Sequence, residues 1–172
     1  MDSTTPSYRR GPCKGTGSMR RAVSISWLAL TLAGCAFDAP ADPPAPSAVV
    51  FENEVYPILL RDCGFPDCHG SRERFFRVFG PNRMRMNDDL TALDDPATPE
   101  EIASSYERAR SMLSGVRRPE DTLLIRKPLE VDRGGAPHMG IDQHGQDVYP
   151  SPDHPSYRIL LDWVRLGFPG AP

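Results

Sequence analysis

Nineteen prolines and fourteen glycines in a chain of 172 residues set the first constraint on what it can become. A proline inside a helix removes a backbone donor and collides with the preceding turn, and glycine tends to end helices. Long uninterrupted elements are therefore excluded, and short helices joined by substantial loops are expected. Phe51, Val55, Ile58 and Leu59 recur at helical spacing up to Asp62-Cys63, with Pro57 either kinking the segment or starting a new helix, and Gly64 ending it. Thr98-Pro99-Glu100-Glu101 carries a cap, a proline at the first helical position and the acid of a capping box. Ile102, Tyr106, Ala109, Met112 and Leu113 then share one face, with Gly115 as the stop. Pro119-Glu120-Asp121 opens a short turn before Leu123, Leu124 and Ile125. A last helix from about Pro155, with Asp153 or Ser156 near its start, buries Tyr157, Leu160, Trp163, Val164 and Leu166, less cleanly Ile159 and Leu161, and ends at Gly167. Residues 71–97 are ambiguous. Phe75, Phe76, Val78 and Phe79 suit a core, Gly80-Pro81-Asn82 is a turn, and Met84, Met86 and Leu90 alternate as in a short extended piece. The expected class is all-α, about three short helices with long loops.

The front of the chain reads as processing signal rather than structure. Met19-Arg20-Arg21 is basic, Ala22 to Leu32 is uncharged and mostly apolar, and Leu32-Ala33-Gly34-Cys35 closes it. This is the layout of a secretory signal, and its apolar run is well short of the roughly 20 residues a spanning helix needs. The ending resembles a bacterial lipobox, which implies cleavage before Cys35 and diacylglycerol on its thiol. The division is then 1–18 as an upstream extension, 19–34 as a lipoprotein signal peptide, 35–48 as a Pro-rich semi-rigid tether and 49–172 as one domain. Ala36 in place of aspartate favours the outer membrane, with the domain on its periplasmic face.

Removing residues 1–34 takes away five basic and one acidic residue, leaving 15 Lys+Arg against 22 Asp+Glu, a net charge of −7. Nucleic-acid binding, which needs a positive footprint, is excluded, while solubility and steering toward a basic partner are compatible. Two cysteines other than Cys35 then remain, Cys63 and Cys68, in a disulfide-permissive compartment.

Cys63-Gly64-Phe65-Pro66-Asp67-Cys68-His69-Gly70 is the chemically informative motif. In c-type cytochromes two cysteines bond the haem vinyl groups and the following histidine binds iron. The usual C-x-x-C-H is here C-x-x-x-x-C-H. The Cys68-His69 step is kept, and the two extra residues enlarge only the loop back to Cys63. Phe51, Val55, Pro57, Ile58 and Leu59 with Cys68-His69-Gly70 resemble the opening of cytochrome c-like domains in large exported bacterial proteins. Leu123 to Leu129, Gly134 to Gly140 and the Tyr157-Leu160-Trp163-Gly167 series resemble, in order, their later segments.

The resemblance implies a cytochrome c-like all-α fold with first and last helices crossing, and one haem c. Cys63 and Cys68 would carry its thioethers, and His69 would be the proximal iron ligand. His138 would be distal, with Met139 as its alternative. The expected function is periplasmic electron transfer with a redox protein partner, the membrane being reached through lipid on Cys35. No acid–base pair or nucleophile points to catalysis, so an electron carrier is expected rather than an enzyme; a peroxidase-like haem protein would need an open sixth iron position. The alternative is a haem-free binding or structural lipoprotein with a Cys63–Cys68 disulfide. A zinc site from Cys63, Cys68, His69 and His138 lacks the second close ligand pair of structural zinc. His144 and His154 read as loop residues, and Met84 and Met86 as packing.

Overall fold

The computed structural model describes residues 42–89, 91–138, 148–168 and 170. The leader, the expected lipid acceptor Cys35, Met139, Gly140 and His144 lie outside the described residues. Those described are helical and loop, with isolated bridges Phe79–Met84 and Leu129–Tyr149 in place of strands. The helices are α1 (Ala48–Val50), α2 (Tyr56–Asp62), α3 (Pro99–Ser111), α4 (Leu123–Arg126) and α5 (Pro155–Arg165), with 3-10 turns at Pro119–Asp121 and Val131–Arg133.

Of the two expectations for Pro57 the second holds: it stands in the first turn of a new helix, α2, where its missing amide costs least. A π-helical segment, Phe51–Val55, joins α1 to α2 and hands over as the Tyr56 amide donates to the Phe51 carbonyl. The wider π turn gives the proline ring room where an α turn would press it onto the carbonyl four residues back. The helix ends at Cys63, whose amide bonds the Leu59 carbonyl. Thr98 forms the expected capping box with Glu101. At α5 the cap is His154, which makes no side-chain cap bond, rather than Asp153 or Ser156. Pro155 at the first position removes one of the amides a cap would have served, and Ser156 Oγ instead accepts from Arg61 at 2.8 Å.

The first and last helical segments pack together through Phe51 and Trp163, ring centroids 5.3 Å apart, and Tyr106 of α3 closes an aromatic triad with them. Val55, Leu59, Ala109, Leu113, Ile125, Leu160 and Val164 complete the core. Leu166, placed on the buried face by spacing, is 56% exposed. Each three-residue step falls about 60° short of a full turn, so two steps from Leu160 carry Leu166 off the face. Phe76, Val78 and Phe79 are buried, whereas Phe75 points outward. The Phe79–Met84 bridge closes the expected turn, with Asn82 at φ 56°.

The folded unit begins earlier than residue 49. Prolines have no amide but keep their carbonyls, and here those carbonyls are taken up. Arg110 donates to Pro43 and Pro44 (3.0 and 3.2 Å), Tyr106 Oη to Pro46 (2.7 Å), and Trp163 Nε1 to Ser47 (2.9 Å). Pro46 is buried, and a Cβ on Gly167 would come within 2.9 Å of its ring. This strap lashes the end of the proline-rich stretch across α3 and α5.

Among the described residues one ion pair is fully internal. Arg85 and Glu101, 2% and 1% exposed, share two bonds of 2.8 Å. Arg85 also donates to the carbonyls of Ala92, Asp95 and Pro96, and Glu101 accepts from the amides of Met86 and Thr98. The cap acid of α3 thus clasps the loop that follows the cysteine–histidine motif.

Candidate functional site: a cavity between two histidine loops

The residues between Cys63 and Gly70 form a tight knot. The amides of Cys68 and Gly70 both donate to the Phe65 carbonyl, and the His69 amide donates back to Cys63, each at 2.9 Å. That last bond absorbs the two extra residues of the motif and returns Cys68-His69 to the end of α2. Gly70 is required by contact, because a Cβ there would sit 2.2 Å from the Gly64 carbonyl oxygen. The Arg83 guanidinium lies 4.2 Å over the Phe65 ring and donates to the Leu60 carbonyl, clamping the knot onto the helix.

His69 leaves this knot with a defined tautomer. Its Nδ1 is 3.1 Å from the Phe76 carbonyl, which can only accept, so Nδ1 carries the proton and Nε2 keeps its lone pair. Burial lowers the imidazole's pKa; the Phe76 bond opposes this, while His138 and Arg74 add to it. The neutral ring is the form that binds metals.

The second histidine arrives on a loop folded over α4. Gly134 takes the left-handed φ of 96° that ends the Val131–Arg133 turn. Gly135 passes so close to Leu129 that a Cβ would lie 1.8 Å from its carbonyl oxygen. Ala136 donates to the Arg126 carbonyl and Lys127 Nζ to that of Pro137, fixing the stretch that presents His138. These two glycines therefore serve the loop's own fold, not a close approach to a ligand.

The rings of His69 and His138 face each other with centroids 5.8 Å apart and planes 18° from parallel. That separation is ordinary for an offset ring pair, at about 4.5–7 Å.

Both histidines, Cys63 and Cys68 line one cavity of about 400 Å³, otherwise walled mainly by apolar side chains such as Leu59, Phe76, Leu124 and Leu160. This lies in the range of small-molecule and cofactor sites, about 300–1,000 Å³. The two cysteines are free thiols, Cys63 buried and Cys68 half-buried. Burial, reinforced by Asp62 and Cys68, pushes the Cys63 thiol up to about 12. Asp62 is engaged by Arg61 and by the hydroxyl of the buried Tyr149 at 3.1 Å. Burial drives that hydroxyl's pKa well upward.

The four residues singled out from the motif and the glycine loop thus meet at one place. Among the described residues no group of three or more His, Cys, Asp or Glu is arranged to hold a bare metal ion. Two thiols, two imidazoles and apolar walls are the groups that a covalently attached porphyrin would require of a chain. Sequence reasoning missed the Phe76 carbonyl, which is a backbone group, and the Asp62–Tyr149 contact, which joins positions 87 apart. The chain matches no protein-family profile, no curated protein and no solved structure.

Proposed function

We propose that this chain is a c-type haem protein of cytochrome c-like fold that transfers electrons. It is exported and held to the periplasmic face of a membrane, the outer membrane by preference, through lipid on Cys35. The observation that carries the reading is the pair His69 and His138, brought from separate loops into one apolar cavity that also holds Cys63 and Cys68. Haem would supply the one-electron chemistry. The chain's own part is to hold and tune it. Cys68, one residue before His69, fixes the group beside its proximal ligand, and Cys63 holds the second thioether at the end of α2. The Phe76 carbonyl sets the His69 tautomer and raises its donor strength, as outer partners of metal-bound histidines do. Apolar walls exclude water, the environment that governs a redox centre's potential.

The test is expression with working c-type maturation. The expected product is red, keeps its pigment through acid–acetone extraction and shows a sharp α-band on reduction. Its mass is that of the chain plus one haem. A colourless product, lighter than the reduced chain by two hydrogens, would replace this reading with the haem-free lipoprotein and its Cys63–Cys68 disulfide.

A further inference from the structure

Among the described residues the exposed charges beside the cavity mouth are mostly cationic, against the sign of the chain as a whole, and Asp62 of the lining is tied to Arg61 and Tyr149. Residues 35–172 carry a net charge of −7. Yet Arg74 and Lys127 line the cavity, and Arg77 and Arg108 stand beside Arg74 and Phe75. Among the described residues none of these four cations has a carboxylate within ion-pair distance. Their bonds go to backbone carbonyls: Arg74 to Asp67, Arg77 to Arg74 and Arg72, Arg108 to Phe75, and Lys127 to Pro137. Glu73 is the single acid between Arg72 and Arg77. In the middle stand two apolar side chains of the cavity lining turned toward solvent, Phe75 at 75% and Leu123 at 49% exposure.

We propose that this mouth is a docking face for a protein partner that presents carboxylates around a small apolar spot. Arginine forks take carboxylates in pairs, and an aromatic side chain ringed by arginine is the composition of an interface hot spot. The rest of the surface repels an acidic partner, so net repulsion with one attractive face selects a single orientation. That orientation places the partner over the cavity, where a bound redox group is nearest the outside. An anionic membrane is the poorer fit, because lipid would seal the mouth. Local sign, rather than net charge, decides the partner: steering is toward an acidic protein, the reverse of what composition suggests.

The experiment is an amide NMR titration of the full chain with poly-L-glutamate, poly-L-lysine and the glutamate–tyrosine copolymer. It reads the same whether or not haem is carried, so its failure is separate from failure of the haem assignment. Poly-L-glutamate should shift residues 72–77, 108 and 123–127, and poly-L-lysine should not. The copolymer should bind more tightly, and F75A should remove that margin. R74E with R77E should weaken both acidic polymers roughly tenfold or more, a loss the size expected from reversing two surface charges. Their denaturation midpoint should stay unchanged, because both arginines bond only backbone. Shifts mapping elsewhere, a margin that survives F75A, or tighter binding to phosphatidylglycerol vesicles through the same arginines would each overturn the proposal.

Discussion

Glu101→Gln removes one charge and changes almost no volume, which makes it the sharpest probe of the internal ion pair. In the native fold the Glu101 carboxylate faces the Arg85 fork and accepts the Met86 and Thr98 amides, both at 3.0 Å. Glutamine keeps one acceptor oxygen and turns its NH₂ toward donors. Arg85, 2% exposed, keeps its carbonyl partners but loses its counter-charge. Breaking a buried pair from one side costs about 3–5 kcal/mol, a fifth or more of a typical total of about 5–15 kcal/mol. With a urea m-value of roughly 1.5 kcal/mol/M, the midpoint should fall by about 2–3 M. The same pair sets an acid limit. Burial raises the Glu101 carboxyl, but the Arg85 bonds and the Thr98 and Met86 amides outweigh it and hold it below its ordinary value. A depressed carboxyl contributes stability above its unfolded value of about 4.5, and that contribution is lost as pH falls through the folded value. The wild type should therefore lose stability below about pH 4.5 by an amount that Glu101→Gln no longer shows. A midpoint shift under about 0.5 M, or identical acid profiles, would refute the claim that this pair holds the loop after the motif to α3.

Four further outcomes follow from the site and the leader. Gly70→Ala should displace the Cys68-His69 corner, since its methyl would meet the Gly64 carbonyl at 2.2 Å, and haem yield on maturation should fall several-fold. In haem-free protein iodoacetamide should label Cys68 well before Cys63, whose thiol is buried with a pKa of about 12; equal rates would contradict the described packing. His138→Ala should lose the low-spin ferric signal in electron paramagnetic resonance while Met139→Leu keeps it, and the reverse pattern would move the distal role to Met139. Cys35→Ser should release the protein from membranes or leave the precursor uncut, and unchanged membrane association would remove the lipid assignment.

The parts of this fold legible in sequence are those set by local chemistry. The capping box of α3 needs only residues three apart, and the buried faces of α3 and α5 follow from helical period. Cys63, Cys68, His69 and His138 could be named because their residue types are scarce in this chain. What was not legible depends on distance in sequence or on backbone. Pro57 is accommodated by a π turn that no propensity scale encodes. Glu101 was visible as a cap, but Arg85, its partner 16 positions away, looked like any surface arginine. Phe75 and Phe76 are identical in type, and only the path of the loop after His69 turns one outward and the other onto the histidine ring, 4.7 Å away. The cations at the mouth were hidden because net charge averages over the whole chain and cannot show which of them stand without a carboxylate partner.

The strap of Pro43 to Ser47 also sets a mooring length. Had the domain begun at residue 49, the chain from a lipid on Cys35 would be able to pay out at most roughly 50 Å. With the anchorage moved up to Pro43 that reach falls to at most roughly 30 Å, less than the width of the domain itself. A body moored so closely has little freedom to swing out toward distant carriers. On the proposed lipid attachment, it meets its partners as a fixture of the membrane surface, and they travel to it.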